Sequence, residues 1–235
     1  MRIPRPRLLP PPPPPPPPPH VRPSRASWTI ACSDRDPDRA DDLTPTERHE
    51  YDAQPHEARR RDWLAARQAA RRAVAAHCRV PANRVRLVRR TGAAPDVLLR
   101  DDHAKSRAMP LSISISHCNG CGLAAVADHP ARIGVDLERT GQIEREHCRY
   151  FLSPAEWIVA ERAGATFVWT LKEAAWKALS LTDDTPFFAL RLAIDRSGEL
   201  RGVWLRGDWT PARARTWRFS SEILAAVVYL GPNGQ

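Results

Sequence analysis

Three short stretches hold the acids, amines and imidazole of a reactive site. The first is Ile133-Gly134-Val135-Asp136-Leu137-Glu138. In a strand, residues two apart share a face, so Asp136 and Glu138 would present two carboxylates together while Val135 and Leu137 face away. Paired carboxylates in an apolar strand are costly unless a cation lies between them. Magnesium prefers oxygen ligands and phosphate company. An edge strand with two solvated acids is the plain alternative. The second stretch is Trp169-Thr170-Leu171-Lys172-Glu173-Ala174-Ala175-Trp176-Lys177. On a helix Trp169, Glu173, Trp176 and Lys177 neighbour one another, with Glu173 and Lys177 an i,i+4 pair in the favourable order. A surface pair of that kind is worth only about 0.3–0.5 kcal/mol. However, the only lysines are Lys105, Lys172 and Lys177, and two of them fall here. The third stretch is Ser114-Ile115-Ser116-His117, ahead of a turn through Asn119-Gly120. Its histidine reads either as structural or as a ligand contact. Between residues 59 and 90, eleven arginines stand against one acid, Asp62. That is a solvated helix face or a phosphate-binding surface.

The elements that must hold these groups follow from pattern. Thr44-Pro45-Thr46-Glu47 predicts a helix start, with Thr44 as cap, Pro45 first and Glu47 three after the cap. Trp63, Leu64, Ala70 and Val74 at helical spacing predict a long helix over 56–77. Strands are predicted at 85–89, 111–116, 122–127 and 132–138. Ser153-Pro154-Ala155-Glu156 repeats the helix start. A helix over 166–181 follows, then strands near 190–195, 203–205, 216–220 and 224–230. The expected fold class is α+β: two similar α/β subdomains related by a pseudo-twofold duplication. Each is a long helix packed on a small, mainly antiparallel sheet, with the active site in the cleft between them. The expected division is a disordered proline-rich arm and lead-in over 1–42, an N-terminal subdomain over 43–131 and a C-terminal subdomain with the metal site over 132–235. One short strand is expected near Trp28-Thr29-Ile30.

Gly134-Val135-Asp136-Leu137-Glu138, followed some thirty residues on by Trp169-Thr-Leu-Lys-Glu-Ala-Ala-Trp-Lys177, resembles the paired signature of the 4′-phosphopantetheinyl transferases. Ile115-Ser116-His117 resembles that family's third motif, and Arg60-Arg-Asp-Trp-Leu-Ala-Ala-Arg67 resembles its amino-terminal helix. The likeness runs from about Leu43 to Leu230. Its length suggests the two-domain, usually monomeric type that activates polyketide and peptide synthetases. The resemblance implies transfer of the phosphopantetheine arm of coenzyme A to a serine of an acyl or peptidyl carrier protein, with magnesium and release of 3′,5′-ADP. By position it implies Asp136, Glu138 and Glu173 as metal ligands and Glu173 as base. Lys177 falls by the pyrophosphate, Ser116 and His117 on coenzyme A, and Arg48 and Arg89 on the nucleotide. Two departures stand out. Ala94 precedes Pro95 where the family often has a basic residue, and Ala66 replaces a usual glycine, which a helix tolerates.

Composition bounds the alternatives. With 36 basic and 27 acidic side chains the chain carries +9; phosphate, nucleic acid and an acidic protein all fit as partners. No apolar stretch approaches the roughly 20 residues of a membrane helix. The basic head Met1-Arg-Ile-Pro-Arg lacks a signal peptide's apolar core. A cytoplasmic protein is expected, with neither membrane nor nucleic acid as partner. Cys32, Cys78, Cys118, Cys121 and Cys148 read as free thiols. Cys118-x-x-Cys121 lacks the second pair a zinc site needs. The rival readings are a basic nucleic-acid-binding module, for which three converging acids have no use, and an inactive scaffold relative, against which every expected acid is present.

Overall fold

Helix α1 (Pro45–Asp52) begins with a capping box: the Thr44 side chain accepts the Glu47 N–H while the Glu47 carboxylate takes the Thr44 N–H. The same device, from Ser153 and Glu156, starts α4 (Pro154–Ala163). The computed structural model describes residues 26–32, 43–90, 93–101, 105–182 and 184–230. The proline run of the expected arm lies outside them. Between the two capped starts lies α2 (Glu57–Cys78), whose side-chain cap is His56. A single turn, α3 (Arg145–Cys148), precedes α4, and α5 (Ala165–Ala178) follows it.

The strands are β1 (Ala26–Cys32), β2 (Val85–Arg90), β3 (Ala93–Arg100), β4 (Ser106–Ala108), β5 (Leu111–Cys118), β6 (Cys121–Asp128), β7 (Arg132–Arg139), β8 (Leu190–Ile194), β9 (Leu200–Leu205), β10 (Asp208–Arg218) and β11 (Ile223–Leu230). They form antiparallel sheets in the orders β1-β6-β5, β2-β3-β4 and β7-β11-β10-β9-β8. The fold is therefore mixed α+β with several antiparallel sheets, as the patterning predicts. The strand expected near residue 29 is β1, an edge strand laid along β6.

Period-two alternation divides the core. On β6, Leu123, Ala125 and Ala127 join Val135, Leu137, Ala225 and Val227. Ala124 and Val126, on the other face, join Ala70, Ala73 and Val74 of α2. Both faces of β6 are covered, so its apolar run is unbroken. Helix α5 buries Val168, Leu171, Ala174 and Ala175 against strands β8 to β11. Two glycines set how closely helix approaches strand. A Cβ on Gly122 would lie 2.4 Å from the backbone of Ala65 and Ala66, and one on Gly134 would lie 1.8 Å from the Ala174 carbonyl oxygen. Any larger residue at either place would push its helix away.

Strands β5 and β7, edges of different sheets, meet through serine side chains. Ser112 Oγ donates to the Ala131 carbonyl; Ser114 Oγ accepts the Val135 N–H at 3.0 Å and Ser116 Oγ the Leu137 N–H at 3.3 Å. Partner numbers rise together, so the two strands run in the same direction and their C-terminal ends coincide. That brings His117 and Cys118 beside Asp136 and Glu138. At the tip of the β5–β6 hairpin, Asn119 and Gly120 have φ of 51° and 75°, the positive pair that a two-residue Asn-Gly turn requires.

Candidate active site

Strand β7 presents its acids as alternation dictates. Val135 and Leu137 enter the core between sheets, while Asp136 and Glu138 face α5. Together with Glu173 and Lys177 of α5 and residues 115–118 of β5, they line a cavity of about 380 Å³. The three sequence motifs, with Ser116 and Lys177 61 residues apart in the chain, thus converge on one pocket.

Asp136 is 3% exposed. Its Oδ1 accepts Lys177 Nζ at 2.6 Å and the Ser116 hydroxyl at 2.9 Å. Lys177 Nζ also donates to Ser116 Oγ at 3.3 Å. Burial pushes the Asp136 carboxyl above its ordinary range despite the Lys177 ammonium. Glu138 Oε1 accepts the Trp169 indole N–H at 3.0 Å. Burial, then the neighbouring Asp136 charge, pushes Glu138 up to about 7. Glu173 is raised as well, by burial and by Asp136. Each of these carboxylates is costly to ionise as the chain stands, and a further cation would relieve all three.

Among the described residues, no group of three or more His, Cys, Asp or Glu side chains is drawn together for metal binding. The contacts say why: Lys177 sits on one Asp136 oxygen and Trp169 holds Glu138. The donor set nonetheless fits a hard cation. Asp136 Oδ2 is buried and has no hydrogen-bond partner, and Glu138 and Glu173 line the same cavity with oxygen donors.

The helix motif divides otherwise than its spacing predicts. Lys177 pairs with Asp136 and not with Glu173. Lys172 is fully buried on the other side of α5, donating to the Phe151 carbonyl and to Glu156 Oε2 at 3.2 Å. Trp176 packs on Phe187, ring centroids 5.2 Å apart.

Of the residues expected on coenzyme A, Ser116 lines the cavity, but its hydroxyl is committed to Asp136, Lys177 and the Leu137 N–H. His117 lines it with a half-exposed ring. Burial lowers its pKa, and Arg59 and Lys177 lower it further, against Asp62. Arg48, on α1, lies over the Tyr51 ring at 5.8 Å and does not line the cavity. The Arg89 side chain lies outside the described residues.

Three residues near the site carried no role in the sequence reading: Asp62, Arg59 and Cys118. Only Asp62's isolation among arginines pointed to it. Burial raises the Cys118 thiol, and the Glu138 charge adds to this. Among the described residues Cys118 and Cys148 are free thiols, but Cys121 is disulfide-bonded, which corrects the expectation at that position. Its register partner on β1 is Cys32, whose side chain is outside the described residues.

No helix among the described residues is long and apolar enough to cross a membrane. No curated protein matches the chain. Residues 132–228 match the family model of the 4′-phosphopantetheinyl transferase superfamily, a family of phosphopantetheinyl transferases that use coenzyme A as substrate and carrier proteins as partners. This stretch runs from the start of β7 into β11 and holds Asp136, Glu138, Glu173 and Lys177. The chain therefore carries, over residues 132–228, a domain of the 4′-phosphopantetheinyl transferase superfamily.

Proposed function

We propose that this protein is a holo-carrier-protein synthase of the two-domain, monomeric type. It transfers the 4′-phosphopantetheine arm of coenzyme A to a serine hydroxyl of an acyl or peptidyl carrier protein in the cytoplasm, serving polyketide, nonribosomal peptide or fatty acid synthesis. The observation that carries this reading is the convergence of Asp136, Glu138, Glu173 and Lys177 on one cavity, together with a buried Asp136 oxygen that has no hydrogen-bond partner.

In this reading the serine oxygen bonds to the β-phosphorus of coenzyme A. The pyrophosphate bridge to the 5′-phosphate breaks, and 3′,5′-ADP leaves. Glu173, whose carboxyl burial raises, accepts or relays the serine proton. Lys177 leaves Asp136 for the phosphate oxygens, where its charge counts most as negative charge shifts toward the leaving group. Asp136, Glu138 and Glu173 would hold magnesium, which when bound neutralises phosphoryl charge. His117 takes the 3′-phosphate, with Arg59 beside it. Arg48 and Arg89 serve the nucleotide.

The two halves, 43–131 and 132–235, are read as a duplication. Each opens its helical part with a Thr/Ser-Pro-x-Glu box, and each seats a helix on a strand glycine, Gly122 or Gly134. The cavity is then the cleft between halves. A nucleic-acid module is disfavoured because two arginines of α2 are spent internally: Arg67 on Glu50 and Arg71 on Glu47, both at 2.6 Å.

The test is calorimetric titration of the full chain with coenzyme A, with and without magnesium. Binding that strengthens at least tenfold with magnesium, about 1.4 kcal/mol, is expected in the wild type and should be lost in Asp136→Ala. Binding indifferent to the metal in both would defeat the reading.

A further inference from the structure

Asp62 is the single acid among the arginines between residues 59 and 90. It stands on α2, far in sequence from every motif of the site. Its side chain is only 17% exposed, and its carboxylate reaches the tip of the β5–β6 hairpin. Oδ1 accepts the Gly120 N–H at 2.6 Å, and Oδ2 lies 3.6 Å from His117 Nδ1. One carboxylate thus grips the hairpin turn and flanks the histidine before it.

Both contacts act on His117. A two-residue turn is held by its own strands only up to Cys118 and Cys121, which face each other across the hairpin. The Gly120 bond ties that tip to α2. A half-exposed imidazole is free to rotate unless one of its nitrogens is engaged, and the group that engages one nitrogen decides what the other can do. With Nδ1 turned to Asp62, Nε2 is left for the cavity. Charge works the same way. Burial above all, then Arg59 and Lys177, opposes a proton on His117 and lowers its pKa, and the Asp62 carboxylate is the charge that counters them. A phosphate arriving at His117 needs the imidazole as a donor, and Asp62 is the charge that favours that form.

We propose that Asp62 is a positioning residue for substrate recognition. It fixes the hairpin tip and orients His117, so that Nε2 donates to the phosphate on the nucleotide end of the substrate. The proposal rests on the phosphopantetheinyl-transfer reading, in which His117 meets the 3′-phosphate of coenzyme A.

The experiment compares dissociation constants of coenzyme A and dephospho-coenzyme A, which lacks only that phosphate, for the full chain in magnesium buffer. Wild type, Asp62→Ala, Asp62→Asn, His117→Ala and the Asp62→Ala/His117→Ala double variant are titrated. Wild type should prefer coenzyme A. Asp62→Ala should weaken coenzyme A about tenfold, or about 1.4 kcal/mol, and leave dephospho-coenzyme A within about twofold. The double variant should be no worse than His117→Ala, because both changes remove one interaction. Asp62→Asn keeps an oxygen for the Gly120 N–H and loses the charge. It should fold as wild type and retain part of the preference, since a charge-assisted bond is roughly twice as strong as a neutral one. A preference that survives both Asp62 variants, or losses that add fully in the double variant, would overturn the proposal alone. A wild type that binds both ligands equally would overturn the reading of His117, and the proposal with it.

Discussion

Lys172 and Lys177 stand on the same helix, in the same nine-residue motif, and have opposite fates. Lys172 has no exposed surface, and its ammonium is enclosed by Glu156 and the Phe151 carbonyl. Glu156 in turn accepts the Ser153 N–H at 2.7 Å and the Leu192 N–H at 2.8 Å. One carboxylate thus caps α4, anchors the middle of β8 and pairs with α5. Lys177 keeps 31% of its side chain exposed and reaches across the cavity to Asp136 at 2.6 Å. Asp136 has an oxygen to spare; Glu156 has none. The saturated pair holds a structure together, and the unsaturated one is ready to exchange partners.

Breaking the saturated pair should have the largest effect on stability. Glu156→Ala leaves a buried ammonium without its counter-charge, held only by the Phe151 carbonyl, and two backbone donors unpartnered, a loss of about 3–5 kcal/mol on the usual scale for half-deleted buried pairs. Urea unfolding of wild type and variant measures it. Lys177→Ala should cost under about 1 kcal/mol by the same assay, because the lysine is partly solvated and Asp136 can take up a proton. Its penalty should fall on turnover, by about 10²–10³-fold, with coenzyme A affinity changed much less. If both substitutions unfold the protein equally, the division between the two lysines is wrong.

The sequence told part of this. The alternation of Val135, Asp136, Leu137 and Glu138 assigned faces correctly, because a strand's period is two and nothing distant alters it. Both capping boxes were legible for the same local reason. The partner of Lys177 was not. Helical spacing favours Glu173, yet Asp136, 41 residues away in sequence, wins once β7 packs under α5 at Gly134. Two of the three lysines fall in that motif, and nothing local separates Lys172 from Lys177; the buried partner of Lys172 stands on α4. Asp62 was hidden because its role depends on a turn 58 residues on. Strands β3 and β4 escaped because Ala93-Ala-Pro-Asp and a three-residue exposed strand carry no alternation. Strand β10 begins at Asp208, earlier than its 216–220 pattern suggests, through Pro211.

A pH series sharpens the contrast further. Burial, then the Asp136 charge, pushes Glu138 up to about 7 in the folded chain against an ordinary 4.5. A carboxyl raised by folding favours the folded state while protonated. That contribution is full below the unfolded value and is lost as pH rises through about 7. The metal-free protein should therefore lose stability between about pH 4.5 and 7.5 from this group. Magnesium, competing with the proton, should raise the melting temperature more at pH 8 than at pH 5.5. Glu138→Gln should flatten that difference, as seen by thermal unfolding with and without magnesium. A magnesium shift independent of pH in wild type would place the cation elsewhere.

The smallest effect is expected at the rim. Arg145, 81% exposed, and Arg149, stacked on the exposed Tyr150, flank the start of α4. Charges of this kind speed encounter with an acidic partner more than they tighten the complex. Arg145→Glu/Arg149→Glu should raise the Michaelis constant for a carrier severalfold and leave turnover near wild type, in steady-state assays at saturating coenzyme A.

The most direct measurement is the intact mass of purified acyl and peptidyl carrier proteins after incubation with the chain, coenzyme A and magnesium. A carrier should gain one phosphopantetheine arm on its serine, and Asp136→Ala should yield none. Carriers left at their original mass by wild-type protein that binds coenzyme A would contradict it.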